Sequence, residues 1–141
     1  MENISLYVCA YNVENTIEKV ILGILDLEPK PEEIIIVNDG STDSTLQILN
    51  KYKKDIKILN LVKNMGIGYG RNLSIKESKN NLVAALDADV VPDKKWLFNM
   101  YNSMIKNKSH LCGGLLIEKY SKSNRYNYWR EIHIMHKFKK K

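Results

Sequence analysis

The chain has 141 residues, 44% of them hydrophobic and 27% charged, which suits one soluble domain with a single sizeable core. No run approaches the roughly 18 to 20 apolar residues of a membrane-spanning helix, and Glu2 and Asn3 precede the first apolar run, unlike a secretory signal, so a cytoplasmic protein is expected. The net charge of +6 is uneven: residues 119–141 hold eight basic residues and one acid, leaving the body near neutral, which argues against a basic nucleic-acid-binding face.

Ile4 to Ala10 is a short apolar run suited to a buried strand. Asn15 can cap the helix that follows, in which Ile17, Val20, Ile21, Ile24 and Leu25 recur at helical spacing. Pro29 and Pro31 end that helix. Glu33 to Val37 is a second, β-branched run, followed by the turn cluster Asn38 to Asp43 and a helix carrying Leu46, Leu49 and Tyr52. Ile56 to Leu61 predicts a third strand, and a glycine-rich turn, Asn64 to Asn72 (NMGIGYGRN), opens a third helix. Leu82 to Leu86 predicts a fourth strand that runs directly into Asp87-Ala88-Asp89. Pro92 and Asp93 start a helix with Trp96, Leu97, Met100, Met104 and Ile105 on its apolar side, and Leu111 to Ile117 reads as a fifth strand. Cys9 and Cys112 lie in apolar stretches and read as buried thiols in a reducing compartment.

Strands alternating with helices imply right-handed crossovers and an α/β fold built on a mainly parallel sheet flanked by helices. Ligands of such sheets bind outside the carboxyl ends of the strands. Asn12, Asp39 and the Asp87/Asp89 pair all follow directly after predicted strands, so they gather at one rim.

Two carboxylates at the end of a buried strand, Asp87 and Asp89, repel each other unless a cation joins them. Mg²⁺ or Mn²⁺, shared with substrate phosphates, would do so. Read alone, the triplet is more often a pair of turn or capping acids. Asp39 can accept hydrogen bonds from a ribose or base, or can cap the second helix, and Arg71 can reach phosphate or form a surface ion pair. The glycines of Gly66 to Gly70 do not mark a dinucleotide-binding loop, because that fingerprint follows the first strand, where this chain has Ala10-Tyr11-Asn12.

Taken together, Tyr11-Asn12 after the first strand, Val37 to Asp43 (VNDGSTD) after the second, Asn64 to Asn72 before the third helix and Leu86 to Asp89 (LDAD) after the fourth strand resemble family 2 glycosyltransferases. The resemblance covers about Ile4 to Ile117 and implies the GT-A nucleotide-diphospho-sugar transferase fold, with its C-terminal part incomplete. It implies a substrate-binding set of Ala10, Tyr11, Asn12, Glu14, Asp39, Arg71, Asp87 and Ala88. Tyr11 would lie against the base with Asn12 beside it and Glu14 near the same pocket. Asp39 would hold base or ribose, Arg71 would support the nucleotide end, and Asp87 would sit near ribose and sugar. Asp89, with Asp87, would bind Mg²⁺ or Mn²⁺ at the diphosphate. Asn38 departs from a frequent aspartate, and Gly70 from the usual alanine.

The implied activity is inverting transfer from a nucleotide-diphosphate sugar, UDP-sugar ahead of GDP- or dTDP-sugar, to a saccharide, lipid-linked or protein acceptor in cell-envelope polysaccharide synthesis. Inversion needs a general base, which the family places after the metal motif, often in a Glu-Asp pair. The chain is expected to stop before it: Glu118 reads as a strand end, and Glu131 is a weak candidate. A nucleotide-sugar-binding module without turnover is the alternative. Residues 1–118 are expected to form the GT-A domain and 119–141 a basic amphipathic segment. Tyr128, Trp129, Ile132, Met135 and Phe138 of that segment would either cover missing residues or rest at the inner face of a membrane. His110, His133 and His136 form no ligand set.

Overall fold

A computed structural model describes residues 1–114. The readings made for Glu118, Glu131, His133, His136 and the whole segment 119–141 lie outside the described residues. The described part comprises a compact unit, Met1–Asn102, and the start of a second unit from Ser103.

The strands are β1 (Ile4–Ala10), β2 (Glu33–Asn38), β3 (Lys57–Asn60) and β4 (Leu82–Asp87), and the helices are α1 (Ile17–Leu25), α2 (Thr45–Lys51), α3 (Ile67–Glu77) and α4 (Trp96–Lys106). All strand pairs are parallel, in the order β3-β2-β1-β4. The chain thus steps outward from β1 through β2 to β3, then returns to the opposite side of β1. Right-handed crossovers demand that a reversal of direction carry the connecting helix to the other face of the sheet, and α3 does lie opposite α1 and α2.

Alternation along the strands decides which side chains meet which helix. Leu6, Val8 and Ala10 of β1, Ile34 and Ile36 of β2 and Leu86 of β4 pack with Ile17, Val20, Ile21 and Ile24 of α1, Leu49 of α2 and Leu97 of α4. On the other face, Ile35 and Val37 are fully buried. There α3 approaches β1 and β2 closely: a methyl at Gly70 would lie 3.0 Å from Cys9 Sγ and 3.7 Å from Val37 Cγ1. The cysteine fills the space that a side chain at Gly70 would take. β1 and β2 therefore read as near-continuous apolar runs, as strands covered on both faces do. β4 alternates instead, with Val83, Ala85 and Asp87 exposed on the α3 face.

The structure corrects several local expectations. Thr16, rather than Asn15, stands at the start of α1. Only Gly66, at φ 88°, belongs to the turn before α3, and Gly68, Gly70 and Arg71 already lie inside the helix. Ile105 is exposed rather than on the apolar side of α4. Cys9 and Cys112 are half-buried rather than buried. Leu111 to Gly114, the described part of the expected fifth strand, carries no strand.

At the amino ends of the strands a polar cluster ties the α3–β4 turn to the sheet. Ser5 Oγ donates to Glu33 Oε2 at 2.7 Å, the Lys79 amide donates to the same oxygen at 2.9 Å, and Asn80 Nδ2 donates to Ser5 Oγ at 3.1 Å. Burial pushes the Glu33 carboxyl up, but the hydrogen bonds from the Lys79 amide and Ser5 and the charges of Lys79 and Lys57 together hold it below its ordinary 4.5. A carboxyl depressed on folding contributes stability that is present above its unfolded pKa and lost as pH falls through the folded value. Glu33→Gln is accordingly expected to flatten the acid limb of stability. Urea midpoints measured between about pH 3 and 6 should fall less steeply than in the parent, and parallel curves would remove Glu33 from the acid response.

Candidate functional site

The sheet changes direction at β1, so the crevice between the carboxyl ends of β1 and β4 is the topological switch point, where open α/β sheets bind ligands. Two open surface depressions, about 330 and 310 Å³, lie at the amino ends of the strands, near Glu33, Lys57 and Lys79 and near Asn80 and Leu82. Topology and side-chain chemistry point instead to the carboxyl rim.

Ala10 is the buried last residue of β1, and its carbonyl accepts the Asp39 amide at 2.8 Å. Tyr11 follows it and is exposed, its ring free to present a flat face. Asn12 turns the chain with φ 52°, a left-handed conformation that asparagine tolerates better than most residues. Its amide donates to Ser41 Oγ at 3.0 Å, and its Oδ1 accepts the Thr42 amide at 2.8 Å. Glu14 is tied to two successive residues of the β2–α2 loop: its amide donates to Asp43 Oδ2 at 3.1 Å, and its Oε2 accepts the Ser44 amide at 2.9 Å. Burial pushes the Asp43 carboxyl up, but hydrogen bonds from Thr45 and from the Glu14 amide hold it below its usual value.

Asp39 is only 4% exposed. Its Oδ1 accepts the Met65 amide at 2.7 Å and its Oδ2 the Gly66 amide at 2.9 Å, so the carboxylate sits at the positive N-terminal end of α3. Both oxygens retain lone-pair capacity for a further donor. Neighbouring Asn38 is buried and donates Nδ2 to Asn60 Oδ1 at 2.7 Å. An aspartate there would place a charge in a buried position already used for a neutral amide pair.

Arg71, on the second turn of α3, brings its Nη2 to 3.8 Å from Asp87 Oδ1. Both side chains are largely exposed, so the pair adds little stability. It does show that the α3 cation and the β4 carboxylate share one space. Beneath them, burial raises the Cys9 thiol above its ordinary value, opposed by its hydrogen bond to Ser74 and by Arg71. Ala88 is buried, whereas Asp87 and Asp89 on either side of it are exposed. Asp89 makes no hydrogen bond or ion pair among the described residues. Two exposed carboxylates supply hard oxygen ligands while leaving other coordination positions for phosphate and water, a donor set that fits Mg²⁺ or Mn²⁺. No cluster of three potential ligands occurs among the described residues.

Two sets of residues escaped sequence reasoning. Ser41 and Asp43 stand in the turn cluster after β2, where no local pattern shows that Ser41 receives the Asn12 amide or that Asp43 serves Glu14 as well as Thr45. Thr16, which no motif distinguishes, donates its hydroxyl to the Ala88 carbonyl at 2.8 Å. Its partner is 72 positions away, beyond the reach of any local pattern.

Comparison with known proteins agrees with this geometry. The model of the glycosyl transferase family 2 domain matches residues 5–141. Poly-beta-1,6-N-acetyl-D-glucosamine synthase of Staphylococcus epidermidis is 34% identical over 137 residues, covering 86% of this chain and 33% of the relative. The chain therefore spans about a third of the length of the curated relatives it matches. Among solved structures, S. aureus TarS in complex with UDP superposes with a TM-score of 0.67 at 28% identity, over 76% of this chain and 33% of that one. A mannosyltransferase of Pyrobaculum calidifontis, solved with GDP-Man and Mn²⁺, has the same fold, with a TM-score of 0.67 at 20% identity over 72% of this chain and 32% of its own. Parallel strands, the rim of loops and the family match converge: the fold is GT-A, and the chain belongs to glycosyl transferase family 2.

Proposed function

We propose that this chain is the nucleotide-sugar-binding part of an inverting, metal-dependent glycosyltransferase, with a UDP-sugar as donor. The observation that carries the reading is that Tyr11 and Asp39, just after β1 and β2, Arg71 near the start of α3 and Asp87 at the end of β4 all stand at the carboxyl rim of the sheet, with Arg71 and Asp87 3.8 Å apart. The TarS structures with UDP and with UDP-GlcNAc favour uridine among the nucleotides.

In this reading the Tyr11 ring covers the base, and Asp39, held rigid by two amides, accepts a hydrogen bond from base or ribose. Ala10, Asn12, Glu14 and Ala88 border that pocket. The Arg71 guanidinium faces the nucleotide end and Asp87 the ribose and sugar. Asp87 and Asp89 would hold Mg²⁺ or Mn²⁺, which when bound offsets negative charge on the departing nucleoside diphosphate. Mn²⁺ in the mannosyltransferase and in a mycobacterial glucosyl-3-phosphoglycerate synthase makes a divalent ion a reasonable partner. The general base that inversion requires is assigned to no described residue, and Glu131 lies outside them. The saccharide, lipid-linked or protein acceptor, the envelope role and a peripheral membrane contact through residues 119–141 belong to the same proposal. Among the described residues no helix is long and apolar enough to cross a membrane.

Calorimetric titration with UDP and GDP, with and without Mn²⁺, tests the reading. Binding of UDP that tightens at least about tenfold with Mn²⁺, roughly 1.4 kcal/mol, is expected, with GDP weaker. Binding without turnover of UDP-sugars would favour the module that lacks activity of its own. No binding of either nucleotide would overturn the donor site.

A further inference from the structure

The loop after β1 stands between the two halves of the rim, and it is bonded to both. On one side Asn12 and Glu14 hold the β2–α2 loop, as described above. On the other, a single side chain reaches the turn that carries Asp87 and Asp89. Thr16 Oγ1 lies 2.8 Å from the Ala88 carbonyl and 3.3 Å from the Val13 carbonyl. A hydroxyl has one proton, so the shorter contact takes it and the Val13 carbonyl is left as a weaker neighbour.

The position of that bond matters more than its strength. Ala88 is buried and its carbonyl belongs to the peptide linking it to Asp89, so fixing the oxygen fixes the plane of that peptide. The Val90 amide donates to the Asp87 carbonyl at 3.2 Å, closing the turn on its other side. The two exposed carboxylates therefore project from a backbone held at two points, one of them the Thr16 hydroxyl. Thr16 itself is anchored: its carbonyl accepts the Val20 amide at 3.2 Å, and its neighbour Ile17 is fully buried in the core. The reference frame for the carboxylates is thus α1.

We propose that Thr16 is a positioning residue for the Asp87-Ala88-Asp89 turn, setting the separation and aim of the two carboxylates by holding the Ala88 carbonyl, without touching nucleotide or metal. The proposal rests on the reading of that turn as the metal-binding motif. Its chemistry predicts a selective defect. Loss of the hydroxyl leaves the base and ribose side of the pocket, built on Tyr11 and Asp39, in place, and loosens only the carboxylates.

Thr16→Val removes the hydroxyl at nearly constant shape, and Thr16→Ser keeps it. UDP affinity is measured by calorimetry with and without Mn²⁺ for both variants and the parent, and exchange of the Val90 amide is followed in all of them without ligand. The valine variant is expected to keep metal-free UDP affinity within about twofold while losing about five- to tenfold of the Mn²⁺-dependent gain. Its Val90 amide should exchange at least about fivefold faster, and serine should restore both properties. An undiminished Mn²⁺ gain in the valine variant would overturn the proposal, as would an equal loss with and without Mn²⁺, which marks general damage to the fold. If the parent shows no Mn²⁺ gain at all, the metal reading of the turn fails. Thr16 is then judged on exchange alone, and an unchanged Val90 rate in Thr16→Val refutes its hold on the turn.

Discussion

Replacing Asp89 with alanine is expected to abolish the metal-dependent part of nucleotide binding while leaving the fold intact. Asp89 is exposed and makes no bond among the described residues, so its removal orphans nothing in the core. A divalent ion held by only two protein carboxylates and by substrate oxygens loses a large share of its protein ligation when one goes. UDP affinity in the presence of Mn²⁺ should fall by the whole of the Mn²⁺-dependent gain, at least about tenfold or about 1.4 kcal/mol, with an unchanged melting temperature. Calorimetric titration beside a thermal melt checks both. Unchanged affinity would take Asp89 out of the metal site, and a fallen melting temperature would mean that it also supports the turn.

Gly40→Ala is expected to be the most destabilising single substitution at the rim. Gly40 has φ 68°, and a methyl built there would lie 2.6 Å from both the Asn64 amide nitrogen and Lys63 Cα, backbone atoms that cannot rotate away. The left-handed conformation costs an alanine roughly 1–2 kcal/mol, and forcing the loops apart adds about 1–3 kcal/mol. A total of about 2–5 kcal/mol is expected in urea denaturation, a large fraction of a small domain's stability. Gly40→Asn separates the causes, since asparagine tolerates the conformation yet carries the same Cβ. The two variants should be comparably unstable if the contact with Lys63 and Asn64 dominates. A loss below about 1 kcal/mol in both would mean that the loop yields without cost.

The functional weight of Gly40 follows from its neighbour. Asp39 hangs from the same backbone and carries the Met65 and Gly66 amides, so parting the Gly40–Lys63 contact pulls at the carboxylate assigned to the nucleotide. Stability and binding should decline together in this variant, whereas in Asp89→Ala they separate. That contrast distinguishes residues that build the rim from residues that project from it.

Much of this was legible in the chain. Apolar runs such as Ile4 to Ala10 and Glu33 to Val37 declare themselves because both faces of β1 and β2 are buried, and the spacing of Ile17, Val20, Ile21 and Ile24 does so because burial of one helix face acts at a period of 3.6. Polar clusters directly after those runs put Asn12, Asp39 and Asp87 at one rim, because parallel strands all end on the same side. The limits of α3 were less legible. Gly68 and Gly70 disfavour helix locally, yet the chain is helical through both, with Gly70 held close against Cys9.

What the sequence by itself determined is therefore the order of elements, the parallel sheet and the rim on which the chemistry-bearing side chains fall. Only the tertiary structure decided what those side chains hold. Asp39 takes amides from positions 26 and 27 residues ahead, Asn12 and Glu14 reach across about 30 residues to the next loop, and Thr16 reaches 72 residues to Ala88. Periodicity records which face of an element is buried, and it carries no trace of which polar atom meets which. Those meetings are set by strand order, β4 beside β1 and β2 on its other side, and so they exist only once the sheet is assembled.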